Sequence, residues 1–156
     1  MINELMTCNF NQPVTLEEKI ALREKIFKFE NFLLSIDGLK IEPIHSFAKG
    51  IYARQILIPK GTFVTGFIHK HEGLNIVSYG KMSVVSDEGF YIVEGPCTMV
   101  SKSGIKKAGY AIEDTLWTTI HATDETDIEK LEQELFTNKI DDLEFCKLSE
   151  SSQKVG

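Results

Sequence analysis

Apolar positions along the chain follow three different rhythms. Between 15 and 36 they recur at helical spacing, with Leu22, Ile26, Phe29, Leu33 and Ile36 on one face and Phe27, Phe32 and Leu34 widening it. Thr15-Leu16-Glu17-Glu18 has the form of a capping box, in which the hydroxyl accepts an early amide N–H and the glutamate reaches back. Asp37-Gly38 offers a left-handed C-cap. The pattern predicts a helix over 15–36 that docks on the core by its apolar face, and the width of that face also suits a dimer contact. From 43 to 121 the rhythm changes to short strand-like runs at 51–58, 62–69, 74–79, 82–85, 90–93, 98–100, 107–111 and 115–121. Gly- and Pro-bearing turns such as Pro59-Lys60-Gly61, Tyr79-Gly80 and Glu94-Gly95-Pro96 separate them, with no helical stretch between, which predicts a sandwich or barrel. Helical spacing returns over 124–138, where Ile128, Leu131 and Leu135 form an apolar face behind a second capping box, Thr126-Asp127-Ile128-Glu129. Periodicity is lost from Asp141 onward, and 149–156 reads as a frayed tail.

Composition narrows this picture. With 156 residues, 42% of them apolar, the chain 1–156 reads as one domain around one core. No run approaches a membrane-spanning length of apolar residues, so no membrane partner is expected. The first residues lack a basic stretch followed by an apolar one, so no signal peptide is expected. Cys8, Cys97 and Cys146 are far apart and form no C-x-x-C, which disfavours a disulfide scaffold or zinc ribbon and suits a reducing, cytoplasmic setting. The net charge is −6, and all of it lies beyond His121, where 10 acidic residues face 4 basic ones. The segment 43–121 carries 8 basic and 6 acidic residues. That is too sparse for a duplex nucleic-acid surface, and it leaves room for a small anionic ligand.

Two stretches of the β region carry candidate chemistry. The first is Gly66-Phe67-Ile68-His69-Lys70-His71-Glu72-Gly73-Leu74-Asn75-Ile76-Val77-Ser78-Tyr79-Gly80, and the second is Pro96 to Lys107. Together they resemble the two motifs of the cupins, small jelly-roll barrels. The resemblance implies a mainly β, cupin-type jelly-roll barrel over 43–121 flanked by an N-terminal and a C-terminal helix. Narrower stretches, including Gly50-Ile51-Tyr52-Ala53-Arg54, Ile58-Pro59-Lys60-Gly61-Thr62 and Glu113-Asp114-Thr115-Leu116-Trp117, are similar to small single-domain cupins common in tailed-phage genomes, a group without an assigned activity. That likeness implies a phage-encoded protein, and one-barrel cupins commonly pair as homodimers.

The departures from the motifs matter as much. His69 and His71 satisfy H-x-H, and on a strand both would point to one face. The position of the motif's glutamate falls on Asn75 or Ile76, while Glu72 comes early. In the second motif Lys107 stands where a metal-binding histidine belongs, and a protonated lysine repels a cation. A metal set of His69, His71 and Glu72 is therefore the alternative, not the favoured reading, and no cofactor is favoured.

Lys107 instead offers a point charge to a phosphate or carboxylate, with Lys106, Lys102 and Lys70 near the same rim. Trp117, Thr119 and His121 alternate along the last strand and share a face, as do Tyr52 and Arg54. Arg54 suits either a bidentate anion contact or an interface. The expected ligand site is one pocket at the open end of the barrel lined by His69, His71, Glu72, Asn75, Lys107, Trp117 and His121, with Phe67 and Ile76 as apolar wall. The expected function is non-catalytic binding of a small anionic metabolite or nucleotide signal. The alternatives are a metal-dependent isomerase, epimerase or dioxygenase, and a module that binds a host or virion protein.

Overall fold

The computed structural model of the protein describes residues 15–138. The unperiodic stretch from 141, the expected tail over 149–156, Cys8 and Cys146 lie outside the described residues. Helix α1 spans Leu16–Ser35. The Thr15 side chain accepts from the Glu18 amide, and the Glu18 carboxylate accepts from the Thr15 amide, closing the capping box. Its other end differs from expectation. Ile36 caps the helix in an extended conformation, with its N–H on the Leu33 carbonyl, and no left-handed glycine follows.

The strands are β1 Ile44–Ala48, β2 Ile51–Ile58, β3 Phe63–Thr65, β4 Ile68–His69, β5 Gly73–Tyr79, β6 Lys81–Ser86, β7 Gly89–Glu94, β8 Cys97–Ser101, β9 Lys107–Ala111 and β10 Thr115–Ala122. Helix α2, Ile128–Leu135, and strand β11, Phe136–Thr137, follow. One sheet has the order β1-β2-β10-β5-β8, and a second has β3-β9-β6-β7. Eight of these strands pair in nested fashion: β2 with β10, β3 with β9, β5 with β8 and β6 with β7, all antiparallel. This nesting, with successive pairs alternating between two sheets, is the jelly roll. The tight β5–β6 connection relies on Gly80, whose φ is +99° and whose missing Cβ would run into Asp114 and Thr115.

Three apolar clusters hold the elements together. Ile58, Val77, Met82, Val84, Val93 and Ala111 fill the space between the sheets. Leu22, Ile26 and Phe29 of α1 pack on Val85 and Ala108, on the outer side of the second sheet. Alternation along β6 explains this sharing: Met82 and Val84 face inward and Val85 faces the helix. Leu131 and Leu135 of α2 join Tyr52 and Phe136. The outer part of the broad α1 face stays uncovered, with Phe32, Leu34 and Ile36 exposed. No helix among the described residues is long and apolar enough to cross a membrane.

Three differences from the sequence pattern bear on function. The run 62–69 is broken after Thr65, and β4 pairs with β11 instead of continuing in the second sheet. The helix expected over 124–138 is shorter, is capped by Asp127 and not Thr126, and gives way to β11. Strand β1, which was not anticipated, extends the first sheet by pairing with β2.

Candidate functional site

A cavity of ≈ 250 Å³ lies between the sheets. The first sheet contributes Arg54, Ile56 and Ile58 from β2, Trp117 and Thr119 from β10, Asn75 from β5 and Ser101 from β8. The facing sheet contributes Val64 and Thr65, Met82 and Val84, and Lys107 to Gly109. Gly66, Phe67, His69 and Phe136 complete the wall, along with Ile41 and Ile105. Among the described residues, no aspartate or glutamate lines the cavity.

Four of the seven residues singled out from the sequence line this cavity: His69, Asn75, Lys107 and Trp117. His121 lies behind them, 1% exposed, its ring edge-on to His69 at 5.1 Å between centroids. Gly73 makes room for it, since a Cβ there would meet the Ile120 carbonyl at 2.6 Å and His121 Nδ1 at 3.3 Å. His71 and Glu72 do not line the cavity. Both are exposed, beyond the end of β4. The two histidines were expected to share a strand face, but extended pairing ends at His69. The next residue is pinned to α2, with Lys70 N donating to the Leu135 carbonyl at 2.8 Å and Lys70 Nζ to the Gln133 carbonyl at 2.6 Å. Of the expected apolar wall, Phe67 lines the cavity and Ile76 does not, because β5 turns Asn75 and Val77 inward.

The lysines also separate. Lys106 is fully buried outside the cavity, bonded to Glu30 Oε2 at 2.6 Å, the Gly66 carbonyl at 2.8 Å and Asn138 Oδ1 at 2.6 Å. Its ammonium also lies 4.7 Å from the centroid of the Phe27 ring. Lys102 is exposed and near Glu88. Among the described lysines only Lys107 lines the cavity, on the face of β9 that also turns Gly109 and Ala111 inward. Burial pushes its ammonium below the usual lysine range, partly offset by Glu88 and Asp87.

Arg54 enters the same space from β2. Its guanidinium carbon is 5.9 Å from the centroid of the Phe136 ring, and its Nε is buried without a hydrogen-bond partner. Among the described residues no carboxylate lies within 4 Å of Arg54 or Lys107. Both histidines are kept neutral. Burial, then the charges of His121, Lys107 and Arg54, lowers His69 to about 3. Burial and Arg54 lower His121 to about 4. His69 Nδ1 is 2.9 Å from Ser101 Oγ, while His121 Nε2 is buried with no partner. The Thr119 hydroxyl donates to Asn75 Oδ1 at 2.9 Å, which leaves the Asn75 amide nitrogen as a donor.

These groups do not fit a metal. The His69, His71 and Glu72 set does not come together, and no group of three or more His, Cys, Asp or Glu gathers among the described residues. Two imidazoles remain, beside two cations. The polar and aromatic lining residues that the sequence did not point to include Ser101 and Phe136. Thr119, which alternation placed on the face of Trp117, lines the cavity with it. Ser101 and Phe136 reach the site through pairings with no local signal.

No protein-family model matches the chain, and no curated protein matches it. Several solved structures are similar over part of it. KdgF from Halomonas sp. is 13% identical with a TM-score of 0.48, over 60% of this chain and 90% of that one. A cupin-2 domain-containing protein from Shewanella frigidimarina is 12% identical with a TM-score of 0.45, over 65% and 99%. The Cnp3 cupin domain of Schizosaccharomyces pombe is 13% identical with a TM-score of 0.46, over 65% and 76%.

Proposed function

We propose that this jelly-roll protein binds a small anion inside the barrel and performs no chemistry on it. One observation carries the reading: Arg54 and Lys107 face a cavity that, among the described residues, no acidic residue lines. Drawing two cations out of water is costly, Glu88 and Asp87 offset this only in part and only for Lys107, and a bound anion supplies further counter-charge. The neutral imidazole of His69, the Asn75 amide and the indole of Trp117 are polar and aromatic groups suited to orienting the body of the ligand. The likeness to small phage cupins favours a host metabolite or nucleotide signal, captured in the cytosol, as the ligand.

The test is mass spectrometry of small molecules released when the purified protein is denatured, paired with thermal unfolding in a panel of carboxylates, sugar phosphates and nucleotides. An anion that raises the melting temperature of the native chain but not of Arg54→Met supports the reading. A panel without effect, and no released anion, would sink it.

The proposal includes a homodimer. The outer face of the first sheet presents Ala53, Gln55, Leu57, Leu74, Ile76, Val100, Leu116, Thr118 and Ile120 without a charged residue among them. Leu57, Leu74 and Val100 are 52%, 43% and 57% exposed, an apolar surface of the kind partners cover. Light scattering should give twice the chain mass, and a monomer at micromolar concentration would remove this part.

A further inference from the structure

Resting on the reading of the cavity as an anion site, we infer that its ligand is a short two-ended dianion, one negative group held by Arg54 and the other by Lys107, with an apolar spacer between.

The two cations come from opposite walls. Arg54 lies in the first sheet, in a row across the strands with Thr119 and Asn75, which are its successive register partners. Lys107 opens β9 in the facing sheet, opposite Ser86. Facing sheets of a sandwich are about 10 Å apart, so the charges approach one cavity from two sides. A ligand with one negative group pairs with one cation and leaves the other, half-buried, without an anion beside it. A ligand with a negative group at each end compensates both; among the described residues no acid lines the cavity, and Glu88 and Asp87, outside the lining, offset the burial of Lys107 only in part.

The rest of the wall sets the body of the ligand. The lining also includes Ile56, Val64, Met82, Val84 and Trp117, which suit a hydrocarbon segment better than a hydroxylated one. Among the other polar groups the Asn75 amide nitrogen is a donor, since Asn75 Oδ1 accepts from Thr119. The volume of ≈ 250 Å³ falls below the range of about 300–1,000 Å³ of pockets for drug-sized ligands, so the spacer is short. An aliphatic α,ω-dicarboxylate meets all of these conditions, and it uses Arg for the planar carboxylate and Lys as the point charge.

The experiment is calorimetric titration of the full chain with malonate, succinate, glutarate and adipate, with inorganic phosphate as the compact single-centre anion. The monoamide of the best dicarboxylate serves as a control of the same shape with one charge fewer. The dicarboxylate should bind about tenfold or more tightly than its monoamide. Lys107→Met and Lys107→Gln should penalise the dicarboxylate more than the monoamide. Circular dichroism confirms that each variant is folded, and Arg54→Gln provides the reciprocal test from the other wall. Equal affinity for dicarboxylate and monoamide would overturn the two-ended ligand and leave the anion site standing. So would phosphate binding more tightly than every dicarboxylate. No binding of any of these anions by the folded native protein would overturn this inference, and the anion site with it only if the wider panel of carboxylates, sugar phosphates and nucleotides also fails.

Discussion

Two groups of cations lie against the core of this protein, one buried and one half-buried, and their surroundings differ. Where α1 packs on the barrel, Arg23 bonds Asp87 through Nε at 2.8 Å and Nη2 at 2.7 Å, and also donates to the Gly104 carbonyl. Beside it Lys106 is bonded to Glu30, whose other oxygen accepts from Asn138 at 2.6 Å. In the cavity, Arg54 and Lys107 have no such partners. A fold can retain buried ions when hydrogen-bonded carboxylates compensate them, and the first group meets that condition within the chain. The second does not. The comparison teaches how to separate cations that join elements of the fold from cations held for something else: the first have counter-ions from another element, and the second face a cavity.

The largest effect should come from breaking the first group. Asp87→Ala leaves the Arg23 guanidinium buried without its carboxylate and should cost about 3–5 kcal/mol in urea unfolding. Glu30→Ala strands Lys106 and removes the acceptor of Asn138, and should cost about 3 kcal/mol. Direct charge assistance reinforces this. Although burial alone would raise Glu30, bonds from Lys106, Asn138 and Thr65 hold its carboxyl below the usual range. If either substitution left the unfolding midpoint in place, the ion pairs would not be joining the helix to the barrel.

Acid sharpens the contrast from the other side. His69 and His121 titrate near 6.5 when unfolded and at about 3 and about 4 when folded. The unfolded chain therefore binds more protons between these values, so stability is complete above pH 6.5 and falls as the pH drops through the window. At pH 5 each histidine should cost about 2 kcal/mol relative to pH 7. The burden falls on the cavity, where a new positive charge meets Arg54 and Lys107. Urea midpoints at pH 7 and pH 5 check this: His69→Gln and His121→Gln should each flatten the loss, and an unchanged slope would place the acid sensitivity elsewhere.

Much of the barrel was legible because its signals are local. Alternation placed Trp117 and His121 on one face, and the loop-to-strand register placed Lys107 at the pocket. The misplacement of His71 and Glu72 has a definite cause. A run of eight residues from 62 to 69 looks like one strand, yet it breaks at Gly66 and is redirected by pairing between β4 and β11, two elements about 70 residues apart in sequence. Phe136 was invisible for the same reason, since helical periodicity runs smoothly through it until the pairing with His69 takes over. The ion pairs were beyond reach: Arg23 and Asp87 are separated by 64 residues, and Glu30 and Lys106 by 76. No short-range pattern marks such partners. Lys106 and Lys107 show the limit most clearly, as adjacent identical residues with opposite destinations.

The smallest expected change in stability is also the most informative. Arg54→Met should leave the ligand-free protein within about 1 kcal/mol of the native chain, or more stable, because it removes an uncompensated charge. The direct measurement is urea unfolding of the native chain and of Arg54→Met, each with and without saturating dicarboxylate. The native chain should gain stability with ligand, about 2.7 kcal/mol at a hundredfold excess over its dissociation constant, and the variant should gain little. A variant that loses several kcal/mol without any ligand, as Asp87→Ala should, would show that Arg54 supports the fold and would contradict the account.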